Sequence, residues 1–187
     1  MIGLLPRVLL QMVEEEGGTE ALGQVREVAE LPEDFVFRMN EPYSDFHWRT
    51  LLGTAINVLE KTPIEMEHLF AKAFFSFTYE RFRSWYDMCK NAREFLELQP
   101  RIHNSFATAL REPAARRAVS EKFRLDTGPN HIVVHYASPN RMCGYYVAMA
   151  QLVIRHYGDV ATIQQTRCMK QGDKECEIVV HWFEEDD

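Results

Sequence analysis

Apolar residues open the chain in a regular beat. Leu4, Leu5, Val8, Leu9 and Met12, with Val13 beside it, recur at spacings of three and four. That spacing lays a broad apolar stripe along one helix. Pro6 falls in the first turn, where the amide hydrogen it lacks would have had no helical partner. Gly17-Gly18 is expected to stop this helix, and Thr19 to cap a short second one to about Glu30, before Pro32. Asp34 to Pro42 shows no period and reads as a connection. Ser44 then caps a helix carrying Leu51, Leu52, Ala55, Ile56 and Leu59. Thr62-Pro63-Ile64-Glu65 is a capping box with proline at the first helical position, which marks another start.

The residues that follow are crowded with flat side chains: Phe70, Phe74, Phe75, Phe77, Tyr79, Phe82, Trp85 and Tyr86. Such a cluster packs a core, and it can also wall a pocket for a large flat ligand. A helix is expected from about Asn91 to Leu98. Pro100 marks a break and a new helix carrying His103, Phe106 and Leu110, which fades near Pro113. From about Lys122 the period shifts towards two. Phe123, Leu125 and then His131 to Tyr136 read as strands around a turn at Gly128-Pro129-Asn130. Ser138-Pro139 is expected to open a helix that ends at Gly158. Val160 to Met169 and Lys174 to Phe183 read as strands joined by Gln171-Gly172-Asp173. The order predicts an α+β fold, with an N-terminal helical subdomain followed by helices and a mainly four-stranded antiparallel sheet.

Composition narrows the choice of function. At 187 residues the chain is about one domain, and 46% hydrophobic with 26% charged residues is a globular balance. No apolar run approaches the roughly 18 residues of a membrane span. Met1 to Val13 ends in Glu14-Glu15-Glu16 without a small-residue cleavage site, so it does not read as a signal peptide. The net charge is −7, and Arg116-Arg117 is the one basic pair that stands out, which argues against nucleic acid. The acidic tail Glu184-Glu185-Asp186-Asp187 reads as a solvated end. Four cysteines without an export signal point to a cytoplasmic protein with reduced thiols, a metal or a redox pair. The length rules out a large sensor kinase or cyclase, so the chain is expected to act within one domain or through a separate partner.

Three groups of residues carry candidate chemistry. His103 lies on the apolar face formed by Ile102, Phe106 and Leu110, and a neutral imidazole in an apolar wall suits an axial bond to haem iron. Tyr136-Ala137-Ser138-Pro139-Asn140-Arg141 puts two hydroxyls, an expected helix start and an arginine together, which makes a carboxylate cradle. Cys168 and Cys176 flank a tight turn, and Cys143 follows the Ser138 start. These thiols could bind one metal or oxidise together.

Taken in order, these elements resemble the haem nitric oxide/oxygen-binding (H-NOX) sensor domains, related to the haem domain of soluble guanylate cyclase. The resemblance rests on Met1-Ile2-Gly3-Leu4-Leu5, Ile102-His103 after Phe95-Leu96, Tyr136 and Ser138, and Cys168-Met169, Gly172 and Cys176. It implies a single domain, with residues 1–62 as a distal helical subdomain and 63–187 as a proximal α+β subdomain, and haem b between them. It implies His103 as the iron ligand and Tyr136 and Ser138 as two parts of the family's Tyr-x-Ser-x-Arg propionate motif. The third motif position is Asn140, with Arg141 one residue on, so looser haem retention than usual in the family is expected.

The same resemblance assigns Leu5, Tyr79, Tyr145 and Met149 to the gas-binding side. Tyr145 falls where oxygen-binding members carry a distal tyrosine. Cys143, Cys168 and Cys176 match three zinc-ligating cysteines of some bacterial members, while the histidine position is Gln165, leaving His156 and His181 as the nearest replacements in sequence. The implied function is a stand-alone sensor of nitric oxide, not an enzyme, with dioxygen and carbon monoxide as further ligands. Its implied partner is a separate histidine kinase or cyclic-di-nucleotide enzyme. Two other readings stay open: a haem-free small-molecule module on the same scaffold, and a zinc or thiol redox sensor built on the cysteine hairpin.

Overall fold

Helical hydrogen bonding in α1 covers Leu4–Val28, yet Gly18 inside it has φ +74° and ψ −174°. This backbone region is essentially closed to residues with a Cβ. The break expected at Gly17-Gly18 is therefore a kink joining two helical segments. The computed structural model describes residues 1–183, so the acidic tail read above lies outside the described residues. Arg26, in the last turn of α1, donates to the carbonyls of Pro32, Glu33 and Phe35 and pins the connection that follows.

The capping signals act as read. The Ser44 side chain accepts from the Phe46 N–H at the start of α2 (Asp45–Val58). Thr62 and Glu65 exchange both bonds of the capping box at the start of α3 (Pro63–Arg81). Short helices α4 (Arg83–Asp87) and α5 (Ala92–Glu97) follow, the latter capped by Asn91. Then comes α6 (Gln99–Thr108), with Pro100 in its first turn.

Two expectations change here. Residues Pro113–Ser120 form a further helix, α7, where the sequence pattern fades. Its one buried side chain is Val119, with Ala115 half-buried one turn earlier. Ser138-Pro139 does not open a helix. Ser138 to Arg141 form a turn closed by the Arg141 N–H donating to the Ser138 carbonyl at 3.0 Å. Pro139 holds the second position that such turns favour. Helix α8 begins at Cys143 and runs Cys143–Tyr157, with left-handed Gly158 closing it.

Strands β1 (Phe123–Thr127), β2 (His131–Tyr136), β3 (Ala161–Arg167) and β4 (Cys176–Trp182) form one antiparallel sheet in the order β1-β2-β4-β3. The register pairs Val134 with Ile178 and Ile132 with Val180. All four are fully buried, so the central strands turn one apolar face inwards.

Burial divides into two main cores. One joins α1, α2 and the start of α3 (Met66, Phe70) and reaches Ala107, Leu110 and Val119. The other joins the inner sheet face, α5 and α8 with Tyr86 and Ile102. Phe106 packs against both. No described helix is long and apolar enough to cross a membrane.

The kink yields a paired prediction. A Cβ at Gly18 or Gly23 would meet no atom within 4 Å, so only backbone conformation separates them. Gly18→Ala should destabilise the protein by about 1–3 kcal/mol. Gly23→Ala, inside a regular helical segment, should stabilise it by about 0.5–1 kcal/mol. Urea unfolding of both variants checks this, and equal effects would contradict the kink.

Candidate functional site

Between the two cores lies a cavity with roughly 1070 Å³ of space, its open mouth included. Its walls are mainly apolar and aromatic, with Phe74, Trp85, Phe95 and Phe106 among them.

His103 sits in this wall on α6. Pro100 fixes where the helix begins, and one turn separates His103 from Gln99, so Nδ1 meets the Gln99 carbonyl at 2.9 Å. A carbonyl can only accept, so Nδ1 carries the proton and Nε2 keeps its lone pair. The ring lies 4.7 Å from that of Phe123. Burial pushes the imidazole down to about 4, with a smaller push from the nearby Lys122 ammonium. At neutral pH it is an uncharged donor of one lone pair.

Leu5 from α1, and Tyr145 and Met149 from one face of α8, line the same cavity. The Tyr145 ring is wedged against Phe70 at 5.1 Å and Phe74 at 5.7 Å. Its hydroxyl has no hydrogen bond to any described residue. Burial holds the phenol well above its ordinary value, so it stays protonated and able to donate. Tyr146, also in the wall, has a buried hydroxyl without a partner.

Tyr79 stands apart from the cavity. It stacks on Phe75 at 6.1 Å and meets Tyr86 and His156 edge-on. The cavity side of α3 is instead Phe74 and Thr78. One residue is about 100° of helix rotation, which carries Tyr79 to the neighbouring face.

The motif after β2 is split. Tyr136 lines the cavity, accepts the Met142 N–H at 3.2 Å, and is pushed by burial up to about 12. Ser138 is buried beside a smaller cavity, and its hydroxyl accepts the Asn140 N–H at 3.4 Å. Asn140 turns away and donates to Asp45 at 2.9 Å. Arg141 is exposed, with φ +49°. The main cavity thus has Tyr136 in its wall but neither Ser138 nor Arg141. Lys122, which the sequence pattern did not single out, borders both cavities.

The three thiols do converge. Cys143 at the start of α8, Cys168 after β3 and Cys176 opening β4 have sulfurs all within 4.8 Å of one another. The Cys143 and Cys168 sulfurs are 3.7 Å apart. Burial opposes ionisation of Cys168, but bonds from backbone N–H groups and from Cys143 outweigh it and lower the thiol. Cys176 is pushed up to about 12, chiefly by burial. No histidine joins them. His181 lies at the far end of β4 from Cys176, about 16 Å at 3.3 Å per residue. His156 is some 20 Å along α8 from Cys143. The Gln165 amide donates to the Arg167 carbonyl.

The residues present fit a haem. The cavity has a mainly apolar wall, one fixed neutral imidazole with a free lone pair, and a buried Tyr146 hydroxyl without a partner. A family model described as haem-NO-binding matches residues 2–165. The chain belongs to this family, whose members are haem-based gas-sensor domains.

Solved structures agree in fold. An H-NOX protein from S. oneidensis in the Fe(II)NO state superposes with a TM-score of 0.80 at 18% identity, covering 98% of this chain and 100% of that one. An oxygen-binding H-NOX domain related to soluble guanylate cyclases, as its oxygen complex, gives 0.78 at 14% identity with both chains covered in full. An unliganded Fe(II) H-NOX mutant from K. algicida gives 0.75 at 17% identity, covering 98% and 97%. A comparison with curated protein sequences finds no match.

The depressed His103 predicts a pH signature in the haem-free protein. Folded His103 titrates at about 4, against 6.5 when unfolded, so between these values the unfolded chain binds the extra proton. The stability tied to the neutral ring should be fully present above pH ~6.5 and lost as pH falls towards ~4, by up to about 3 kcal/mol. Thermal unfolding across that window should show the slope in wild type and a shallower one in His103→Leu. Parallel curves would overturn the assignment.

Proposed function

We propose that this chain is a stand-alone haem-based sensor of nitric oxide, able also to hold dioxygen and carbon monoxide, that signals by changing shape against a separate effector. The observation that carries the reading is His103, held neutral with Nε2 unoccupied in the wall of an apolar cavity. Haem b, when bound, would supply a ferrous iron able to take a diatomic gas. The chain supplies the rest. His103 would hold that iron through its free Nε2 lone pair and tie it to α6. Leu5 and Met149 keep the gas side apolar and exclude water. The Tyr145 phenol can donate a hydrogen bond to a polar diatomic ligand, which helps dioxygen more than nitric oxide.

Signalling would start at α6. This helix packs against α7 and β1, so freeing His103 from its bond would let α6 move against both. For such a shift to switch an effector, gas binding must favour one state by a few kcal/mol. A histidine kinase or a cyclic-di-nucleotide enzyme in the cytoplasm is the partner class we propose.

The test is spectroscopic. Reduced wild type should show a Soret band that shifts with nitric oxide and with carbon monoxide. His103→Ala should lose the band and regain it with added imidazole. Tyr145→Phe should release dioxygen roughly 10- to 100-fold faster, as expected for losing one hydrogen bond to a partly charged acceptor. An absent band in wild type would favour a haem-free binding module. An unchanged oxygen-release rate would remove Tyr145 from the gas site.

The cysteine cluster supports a second, structural role. We propose that Cys143, Cys168 and Cys176 hold a zinc ion as thiolates, with the fourth position left to a non-histidine ligand. Reduced protein should carry equimolar zinc by elemental analysis, and Cys168→Ser should lose most of it. Metal-free reduced protein that readily forms a disulfide would favour a thiol switch instead.

A further inference from the structure

An enclosed ammonium with no anion beside it is costly for a protein to hold. Lys122 is such a group. It lies between the end of α7 and the start of β1, and its carbonyl accepts the Ala137 N–H at 3.1 Å. This bond extends the β1–β2 register, in which Phe123 faces Tyr136, by one residue. Lys122 is thereby set opposite the centre of Tyr136-Ala137-Ser138. Its side chain borders the main cavity together with His103 and Tyr136, and the smaller one together with Asp45 and Ser138.

No described residue neutralises it directly, since the Lys122 side chain makes no hydrogen bond or ion pair with any of them. Burial pushes its ammonium down, and the field of Asp45 only partly opposes this. The Asp45 carboxylate is itself engaged by the Met1 ammonium at 3.2 Å and the Asn140 amide at 2.9 Å. The apolar cavity therefore has one unmatched cation in its wall, beside a tyrosine hydroxyl. The nearest arginine in sequence, Arg141, is exposed in a left-handed turn.

We propose that Lys122 is the cation that receives a carboxylate of the cavity's occupant, a propionate where that occupant is haem, with Tyr136 beside it. This rests on the haem reading above. It makes the anchor a single point charge on a flexible stem rather than a planar two-pronged grip. It also puts that charge just before β1, across from the motif rather than within it.

The test measures haem loss from the reconstituted full chain to excess apomyoglobin. Lys122→Met should release haem roughly 10- to 100-fold faster, the worth of a charge-assisted hydrogen bond. Lys122→Arg and Arg141→Ala should stay near the wild-type rate. With haem dimethyl ester, whose carboxylates are masked, Lys122→Met and wild type should release at the same rate. In the haem-free state Lys122→Met should unfold about 2–4 °C higher than wild type, since an unpaired charge has been removed. That gain separates a lost anchor from a damaged fold.

An unchanged rate in Lys122→Met, an equal acceleration with the ester, or faster loss from Arg141→Ala alone would each overturn the assignment while leaving the haem reading intact. Wild type that takes up no haem would overturn that reading and the assignment with it.

Discussion

Asp45 ties the molecule together across its length. Its carboxylate accepts from the Met1 ammonium and from the Asn140 side chain, joining the chain start, the first turn of α2 and the turn after β2. Burial raises the cost of that charge. The Asn140 bond and the Met1 ammonium more than offset it and hold the carboxyl below its ordinary value. The knot does more than join parts. It commits Asn140, shapes the Ser138–Arg141 turn, and consumes the one carboxylate that acts on Lys122.

Around this knot the two cores are each well filled, but the space between them is not. Side chains reach it from α1, α3, α6, α8 and the first two strands, so an occupant there would touch most of the molecule. This links packing to signalling. A ligand that completes a seam between two cores can alter how they sit against each other, because packed interfaces have discrete arrangements rather than a continuum. His103 is well placed in such a scheme. It belongs to a helix of ten residues, α6, that packs on α7 and β1 and whose ends are set by Pro100 and the turn before α7.

Much of this was legible from the chain alone, where a local rule decided the outcome. Capping residues located α2 and α3. The period-two runs located the strands, and His103, Tyr136, Leu5, Tyr145 and Met149 do share one cavity. What escaped depended on tertiary context. Helix α3 is aromatic on several faces, so composition could not say whether Thr78 or Tyr79 turned inward. Ser138-Pro139 carries the chemistry of a helix cap and of a turn alike. The Tyr136 hydroxyl takes the Met142 N–H, and the helix starts later. His156 and His181 are near the cysteines in sequence and far along their own elements. Lys122 had no local signal at all, because its position opposite Ala137 exists only once β1 and β2 pair.

That last point bears on how a binding motif can lose a residue and still work. What an anionic group needs is a positive charge at one place in space, and sheet register offers more than one route there. Lys122 opposes Ala137 just beyond the paired ends of β1 and β2, and directly opposed positions lie about 4.5–5.5 Å apart. Where Asn140 has been recruited to fasten two parts of the fold, the charge can come from across the ladder instead. An anion site then need not depend on an arginine in the turn, since a charge set across the ladder can reach the same place.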